Sequence, residues 1–216
     1  MENISPLDEA SLAKIELMQD IVALSIQNTV ESSSRMQYIL GTVAVTSGIA
    51  FAQAGESQSV LTAGLCGGVV STWGAWRNSR HAHADQTNVS EGFAANVHAI
   101  TGRSVEPNLK WDVIISDNGP SAEATYDNSV AEQASSRKMS EIKATGGTLL
   151  GFLGASATAH MVSAEYSPEV TSLGLIAGVA GIAMIADAKR SFKSHGTKAM
   201  TRVRNMRDSA LYNASS

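Results

Sequence analysis

The chain has 216 residues and a formal net charge of -4; 44% of its residues are hydrophobic, 17% charged and 5% aromatic. This acidic balance excludes a general nucleic-acid-binding protein, which needs a basic surface. The single cysteine, Cys66, excludes an internal disulfide framework. Because aromatic rings are so few, the abundant Gly, Ala and Ser must let helices pack with their backbones close together.

A long helix is predicted to begin near Pro6. Ser5 is a good N-cap, proline suits the first helical position, and Asp8 favours the helix dipole. Apolar residues then recur at steps of three and four, as in an amphipathic helix: Leu12, Ile15, Met18, Val22, Ile26 and Val30. No glycine interrupts this pattern before Gly41, so the helix is expected to continue into the first apolar segment.

Two apolar hairpins are predicted after this start. The first has arms over 38–54 and 59–76, and the second has arms over 146–164 and 170–186. Each arm is at the short end of the length that crosses a bilayer, about 20 residues for a helix. The sequence therefore predicts an all-α fold of two tandem helical hairpins rich in Gly and Ala, embedded in a membrane and flanked by long polar helices.

The two hairpins are interpreted as copies of one unit. Asn-Thr-Val at 28–30 precedes Ser-Ser-Arg-Met at 33–36, and Asn-Ser-Val at 128–130 precedes Ser-Ser-Arg-Lys-Met at 135–139. Self-similarity of this kind indicates an internal repeat.

The domain organisation follows from that repeat. Residues 1–83 are predicted to form the N-terminal helix and the first hairpin, and residues 127–216 the second copy with a basic C-terminal helix. Between them, 84–126 is predicted to be a polar connector or a small cap, in which 111–116 form a short strand or a buried turn.

Basic residues avoid both hairpins. None of the sixteen Lys and Arg lies within 36–76 or 144–188, and the tips carry only the acidic Glu56, Glu165 and Glu169. Cytoplasmic loops of membrane proteins carry an excess of Lys and Arg. Both termini and the connector are therefore predicted to be cytoplasmic, with the hairpins in a bacterial inner membrane and both tips on its opposite side.

A soluble alternative stays open. Hairpins buried between the subunits of a filament, ribbon or shell would also exclude charge, and such burial accounts for the polar Thr46, Ser47 and Gln53 within one arm. The protein would then belong to a cytoplasmic or virion assembly.

Eight glycines at spacings of three and four are predicted to form helix contacts: Gly147, Gly151, Gly154, Gly174, Gly178, Gly181, Gly64 and Gly67. This spacing places each set on one helix face, where it forms a groove for a second backbone. Two interpretations remain open. The grooves pack within each hairpin, or their outer faces also pack between copies in a ring or filament.

No enzyme motif is present. The chain lacks a phosphate-binding glycine loop, a Ser-His-Asp order, a Cys-His nucleophile and an HExxH pattern. It is therefore predicted not to be an enzyme and to use no cofactor, metal or small-molecule substrate. Although His81, His83 and Asp85 suggest a metal site, alternate residues point apart on a helix. A solvated helix end is our interpretation, and His98 and His195 are interpreted as isolated surface residues.

His160 is a candidate switch. It lies in an otherwise uncharged arm, and an ionisable residue inside a membrane is a functional hypothesis by default. The alternative is a neutral structural histidine that is hydrogen-bonded to a carbonyl of a neighbouring helix, and this structural role is the one we predict.

Two segments resemble a known family. The sequences QNTVESSSRMQYILGTVAVTSG (27–48) and DNSVAEQASSRKMSEIKATGG (127–147) each combine an Asn-small-Val start, a polar run, a Met and a later Thr-x-Gly. They are similar to the repeating core of the bacterial killing-trait proteins that form R-bodies. The polar run here is rich in Ser rather than Gln, and the long Gly-rich arms depart from that family. The resemblance implies a self-assembling structural protein and brings no functional site.

The function predicted from these observations is that of an oligomeric, membrane-embedded structural or pore-forming component. Such components occur in secretion machines, in phage or viral membranes and in holin-like systems. The predicted partners are copies of the chain itself and the lipid bilayer.

Overall fold

The computed structural model describes residues 9–102, 122–165 and 167–215, and over these the chain forms four long α-helices. They are α1 (Glu9–Ala52), α2 (Gln58–Thr101), α3 (Ala122–Ser163) and α4 (Pro168–Ser215). The prediction of an all-α fold is confirmed. The predicted helix start at Pro6 and the strand or turn over 111–116 lie outside the described residues.

Short turns join α1 to α2 and α3 to α4, and each contains one residue in the left-handed conformation. Gly55 has φ 53° and Glu165 has φ 55°. Glycine adopts this conformation readily, whereas a residue with a Cβ is disfavoured by about 1 kcal/mol or more. Pro168 is the first residue of α4, where its missing N–H costs no hydrogen bond. Both turns fall where the sequence predicts the hairpin tips.

The end of α2 is a glycine cap. The N–H of Gly102 donates to the carbonyl of His98 at 2.8 Å, and Gly102 itself has φ 69°. Because α2 extends to Thr101 and α3 begins at Ala122, helix occupies both ends of the segment 84–126 that the sequence predicts as a connector or cap. Gly92 lies inside α2 without ending it.

Contacts divide the chain into two units, and each helix contributes to both. The flank unit takes its described residues from Met1–Val30, His83–Ser136 and Ser194–Ser216, and the hairpin unit takes its own from Glu31–Ala82 and Arg137–Lys193. The sequence-based boundaries follow the order of the chain, whereas these units follow contacts among segments that are far apart in the chain.

Large apolar side chains form the core of the flank unit, in which the polar His83, Gln86 and Ser90 are also buried. Its core contains Ile15, Ile26, Phe93, Ala94, Val97, Ala199, Val203 and Met206. Full burial of one such large side chain contributes about 1.5–3 kcal/mol. The apolar stripe predicted on α1 packs here, because Met18 and Val22 lie against the same cluster. This confirms the amphipathic pattern of the first helix.

Small and polar side chains fill the hairpin unit instead. Apart from Ile185 and Phe192 of α4, its buried side chains in the described ranges are alanines, serines, a threonine and a glutamine: Ala44, Ala54, Ala75, Ala82, Ala144, Ala188, Ser33, Ser34, Ser71, Ser79, Ser140, Thr148 and Gln37. Such an interior gains little from the hydrophobic effect and depends on close backbone packing and hydrogen bonds.

Candidate functional site

The closest helix contact in the hairpin unit joins α3 to α4. A Cβ on Gly154 would overlap the backbone N and Cα of Gly178, and a Cβ on Gly181 would lie 2.5 Å from the backbone N of Gly151. Apart from atoms of its own and adjacent residues, a real Cβ atom essentially never has a heavy atom within 3.0 Å. Only glycine therefore fits at positions 154 and 181 while the two backbones stay where they are.

Two further glycines extend this contact in both directions. A Cβ on Gly147 would lie 2.9 Å from the carbonyl oxygen of Gly181, and one on Gly174 would lie 2.8 Å from the backbone N of Thr158. The Thr158 hydroxyl donates to the carbonyl of Gly154 at 2.7 Å, so its own polar group is satisfied within α3. These contacts lie within the second hairpin; packing between copies stays a prediction.

Gly151 and Gly178 have a different environment. A Cβ on Gly151 would meet a methyl group of Val45 at 3.6 Å, and one on Gly178 would come no closer than 3.8 Å to Gly154. Both distances are ordinary van der Waals contacts. The spacing in the sequence predicts that all six glycines of the second hairpin lie in the helix contact. At Gly151 and Gly178, however, a side-chain carbon would have room.

The first hairpin shows similar packing at the predicted positions. A Cβ on Gly64 would lie 2.7 Å from the backbone N of Phe51, and one on Gly67 would overlap the side chain of Ser47. Here α2 approaches the backbone of α1 at one glycine and a small hydroxyl group at the other.

Phe152 links the two hairpins, which the sequence did not indicate. A Cβ on Gly48 would overlap its carbonyl oxygen, and one on Gly68 would lie 2.6 Å from its ring. The ring also lies against Phe51, with centroids 6.0 Å apart and planes tilted by 52°. The ring of Phe152 thus fits into the space that Gly68 leaves on α2, and its backbone carbonyl fits into the space that Gly48 leaves on α1.

The polar interior is centred on Gln37, which is fully buried. Its amide nitrogen donates to the carbonyl of Ala144 at 3.2 Å and to the hydroxyl of Thr148 at 3.3 Å, which ties α1 to α3. The Thr148 hydroxyl donates in turn to the carbonyl of Ala144 at 2.8 Å. Asn78 donates to the carbonyl of Ser33 at 2.9 Å and joins α2 to α1. Polar contacts between helices therefore replace large apolar side chains here.

The exterior of the hairpin unit carries the large apolar side chains. Leu173, Ile176 and Val162 are 64%, 62% and 63% exposed, and Val70 is 61% exposed. In the described ranges, the flank unit contributes only four exposed large apolar side chains, Leu17, Ile21 and Leu24 at 59–61% and Met200 at 39%. The hairpin unit thus has large apolar side chains on its outside and, apart from Ile185 and Phe192, small or polar side chains inside.

One of the described helices is long and apolar enough to cross a membrane by length and composition, the segment Thr171–Asp208 of α4. Only 22% of its most apolar stretch is buried, whereas the core helix of a soluble protein is mostly buried. The membrane prediction for the other three arms has no such support from their hydropathy.

Aromatic and basic side chains pair in the hairpin unit at the ends of the arms distant from the tips. The guanidinium of Arg77 lies 5.2 Å from the ring centre of Trp73, and that of Arg80 lies 5.4 Å from Trp76. The ammonium of Lys189 lies 5.1 Å from the ring of Tyr38. These are cation–π distances, at which a ring and a cation stabilise each other.

A salt bridge joins α3 to α4 at the same ends of the apolar arms. The ammonium of Lys143 and the carboxylate of Asp187 are 2.6 Å apart, and both side chains remain partly exposed. The hydrogen bond from Lys143 and its positive charge lower the pKa of Asp187 below its ordinary value.

An apolar groove opens beside the small-residue contact. Its cavity volume is about 410 Å³, and residues of α1, α3 and α4 line it, among them Val45, Ile49, Ala155, Gly178 and Ile182. Gly151, Gly154 and Gly178 all line this groove, and a Cβ would fit without overlap only at Gly151 and Gly178.

His160 is exposed, in the last turn of α3. The predicted structural role, a histidine held inside the protein by a neighbouring carbonyl, is not what the isolated chain shows. The physical reason is its position: His160 follows Thr158 by two residues, so on a helix it does not share the face with which Gly154 and Thr158 contact α4.

Two histidines meet in the flank unit, and the sequence interpretation missed them. His83 is buried, and its ring lies edge-on against that of His195, with centroids 4.4 Å apart and planes at 73°. His81 and Asp85 are exposed, so alternate residues do point apart on α2. The interpretation of a solvated helix end is right for His81 and Asp85 and wrong for His83, while His98 is exposed as predicted.

The described residues contain no group of three or more His, Cys, Asp or Glu that could hold a metal ion. Comparison with known proteins gave no matching family model, no matching curated protein and no matching solved structure. The resemblance to R-body proteins and the absence of enzymatic activity therefore stay predictions.

Proposed function

We propose that the protein is a membrane-embedded structural component whose hairpin unit lies within a lipid bilayer. The observation that carries this proposal is the reversed distribution of side chains: large apolar groups face outward, while Gln37, Ser71 and Ser79 are fully buried. Lipid tails are as apolar as leucine, so burial of large apolar groups gives no advantage in a bilayer. Small residues and hydrogen bonds then hold the helices together.

The modest hydropathy of three arms is consistent with this proposal. Some of the serine and threonine residues that lower their averages lie on buried faces, as Ser71 of α2 and Thr148 of α3 do, whereas Thr46 and Gln53 of the first arm are exposed. The averaged composition of a helix mixes its buried face with its outer face. For a helix inside a bundle, only the outer face has to match lipid.

The orientation that we propose places both termini in the cytoplasm. The pairs of Arg77 with Trp73 and Arg80 with Trp76 combine the two side-chain types that are enriched at the cytoplasmic interface. At the other end of the arms the tips carry Glu56 and Glu165 and no Lys or Arg. The bacterial inner membrane remains the compartment that we propose.

A pore, if the protein contributes to one, would form between copies and not within one hairpin unit. Gln37, Ser71, Ser79 and Thr148 have no exposed surface, so these interior polar groups do not line an open path. The outer apolar faces are free to pack against further copies. We therefore propose an oligomeric structural role, of which a pore is one form.

Membrane extraction combined with cysteine labelling tests the proposal. In a Cys66→Ser background, single cysteines at the exposed Ser57 and Ser167 should react with an impermeant reagent in intact cells. Cysteines at the exposed Ser135 and Ser194 should react only after lysis. The protein should also stay with membranes after an alkaline carbonate wash. Equal labelling at all four positions, together with release by carbonate, would contradict the proposal.

The second candidate is a soluble building block whose hairpins are buried between subunits. The observation in its favour is that a single described helix passes the hydropathy test for a membrane span. Outward apolar faces also suit burial in a filament, ribbon or shell. Release by carbonate in the form of large sedimenting particles would favour this assembly over the membrane protein.

A further inference from the structure

We propose that the apolar groove of the hairpin unit binds one acyl chain of a phospholipid whose headgroup carries an ammonium group. This inference rests on the proposed membrane location and adds a binding site to it. The lipid would come from the leaflet on the side of the hairpin tips.

The lining of the groove matches an acyl chain. Val45 and Ile49 of α1, Ala155 and Ala159 of α3, and Ile182 of α4 offer carbon atoms to it. Polar lining groups lie near the tips, where Gln53 follows α1 and Ser163 ends α3. A lipid presents the same order, with an apolar chain that ends in a polar headgroup.

The length of the groove fits one leaflet. Its lining on α3 extends from Gly151 to Ser163, which is about 18 Å along a helix at 1.5 Å per residue. Half of a hydrocarbon core of about 30 Å is about 15 Å. A chain that enters at the tips would therefore reach approximately the middle of the bilayer along this groove.

The volume of the groove favours a chain over a helix. A cavity of about 410 Å³ lies in the range of small-molecule sites, about 300–1,000 Å³. Three turns of a helix about 10 Å in diameter would occupy more than about 1,000 Å³. A second copy of the chain could cover the groove but could not fill it.

Charge at the tips selects the headgroup. Glu56 and Glu165 are exposed there, and no Lys or Arg lies within 36–76 or 144–188. His160 also lies near the tips, in the last turn of α3. Carboxylates repel an anionic headgroup and attract an ammonium group over distances of about 10 Å at moderate salt.

Photo-crosslinking tests this site. The full chain is reconstituted in vesicles of phosphatidylethanolamine and phosphatidylglycerol with a trace of a phosphatidylethanolamine that carries a diazirine in one acyl chain, and crosslinked peptides are mapped by mass spectrometry. Labelling at Ala155 and Ala159 should exceed labelling at the exposed Leu173. The same probe built on phosphatidylglycerol should label the groove less.

Two variants fill the groove, and one serves as a control. Gly178→Leu uses a position with room for a Cβ, and Ala159→Leu uses a second position in the lining. Each should reduce groove labelling to the level at Leu173, while Ile176→Leu on the exposed face should leave it unchanged. Thermal unfolding of each variant shows that it is folded.

Several outcomes would overturn the proposal. They are groove labelling no stronger than at Leu173, unchanged labelling in a folded variant, equal or stronger labelling by phosphatidylglycerol, and crosslinks between two copies at the groove. Flotation of the same vesicles tests the membrane location separately from the acyl-chain site. Protein that floats without groove labelling refutes the acyl-chain site alone, whereas protein that does not float refutes the membrane location as well.

Discussion

The two units of this chain use the same four helices in opposite ways. In the flank unit Phe93, Val97 and Met206 are buried. In the hairpin unit Ser71 and Ser79 take the equivalent inward positions. The difference shows that average hydropathy describes neither unit, because it does not tell whether the large apolar side chains face inward or outward.

The change is visible along a single helix. On α2 the buried stripe begins with Ser71, Ala75 and Ser79 and ends with Phe93 and Val97. The helical period is kept through buried polar side chains at positions 83, 86 and 90, and large apolar side chains appear only from Phe93 onward. A large apolar core stabilises a bundle in water, whereas a small-residue core stabilises one in lipid. In the proposed membrane location, each end of α2 would have the core that suits its surroundings.

The largest expected effect is on the core of the flank unit. Phe93→Ala should lower the free energy of unfolding by about 3–5 kcal/mol, because it removes a fully buried ring and leaves a cavity. Denaturant unfolding in mild detergent measures it. The control is Leu24→Ala in the same unit, where a 60% exposed side chain should change stability by less than about 0.5 kcal/mol. Equal losses would mean that the flank unit lacks the core described here.

A lysine on the outer face tests whether the surfaces of the two units have different surroundings. Ile176→Lys in the hairpin unit should disfavour membrane insertion by about 2.5–3.5 kcal/mol, whereas Leu24→Lys in the flank unit should have no such effect. The two side chains are equally exposed, at 62% and 60%. The carbonate-resistant fraction of each variant measures the difference. If both variants stay in the membrane, the comparison of exteriors fails.

The glycines of one hairpin offer a matched pair. Gly154→Ala should destabilise the protein by about 1–3 kcal/mol, because the new Cβ overlaps the backbone of Gly178. Gly178→Ala should be neutral or stabilising by up to about 1 kcal/mol, because its Cβ has room and alanine favours helix. Thermal unfolding of the two variants decides this. A loss in both would show that close packing covers the groove side as well.

The two hairpin turns differ in the residue that adopts the left-handed conformation, Gly55 in the first and Glu165 in the second. Glu165→Gly should stabilise the second turn by up to about 1 kcal/mol, because it relieves a left-handed conformation that a side chain disfavours. Gly55→Ala in the first turn should be destabilising by a similar amount for the same reason. Both are measured by thermal unfolding, and a loss of stability in Glu165→Gly would assign the glutamate side chain a role in the turn.

The smallest effect concerns pH. Asp187 follows the arm that ends at residue 186, and its pKa is lowered chiefly by its hydrogen bond with Lys143. A lowered folded pKa gives stability that is present above the ordinary pKa of Asp and is lost as the pH falls through the folded value. Lys143→Met should therefore show a small, salt-sensitive loss at neutral pH that vanishes in strong acid. A loss that is unchanged in acid would require another role for Lys143.

Local patterns determined much of the fold. The periodicity of residues 12–30 predicted an amphipathic helix, and Ile15 and Ile26 are indeed buried. Gly55 and Pro168 marked the turns because their backbone preferences operate within a few residues. The absence of Lys and Arg from both hairpins was equally visible in the sequence, since it depends only on the order of residues. The length of α2 was not visible in the sequence, because Phe93 and Val97 pack against distant segments and keep the helix intact beyond Gly92.

The sequence by itself determined that this is a helical protein with two apolar hairpins and acidic tips, because period, turn chemistry and charge order are local properties. Only the tertiary structure decided that a Cβ would overlap a backbone at Gly154 but would have room at Gly178, and that His83 meets His195. The physical reason is that the direction of a side chain toward a partner depends on where two helices cross. That crossing is set by packing among residues more than a hundred positions apart, as with Gln37 and Thr148.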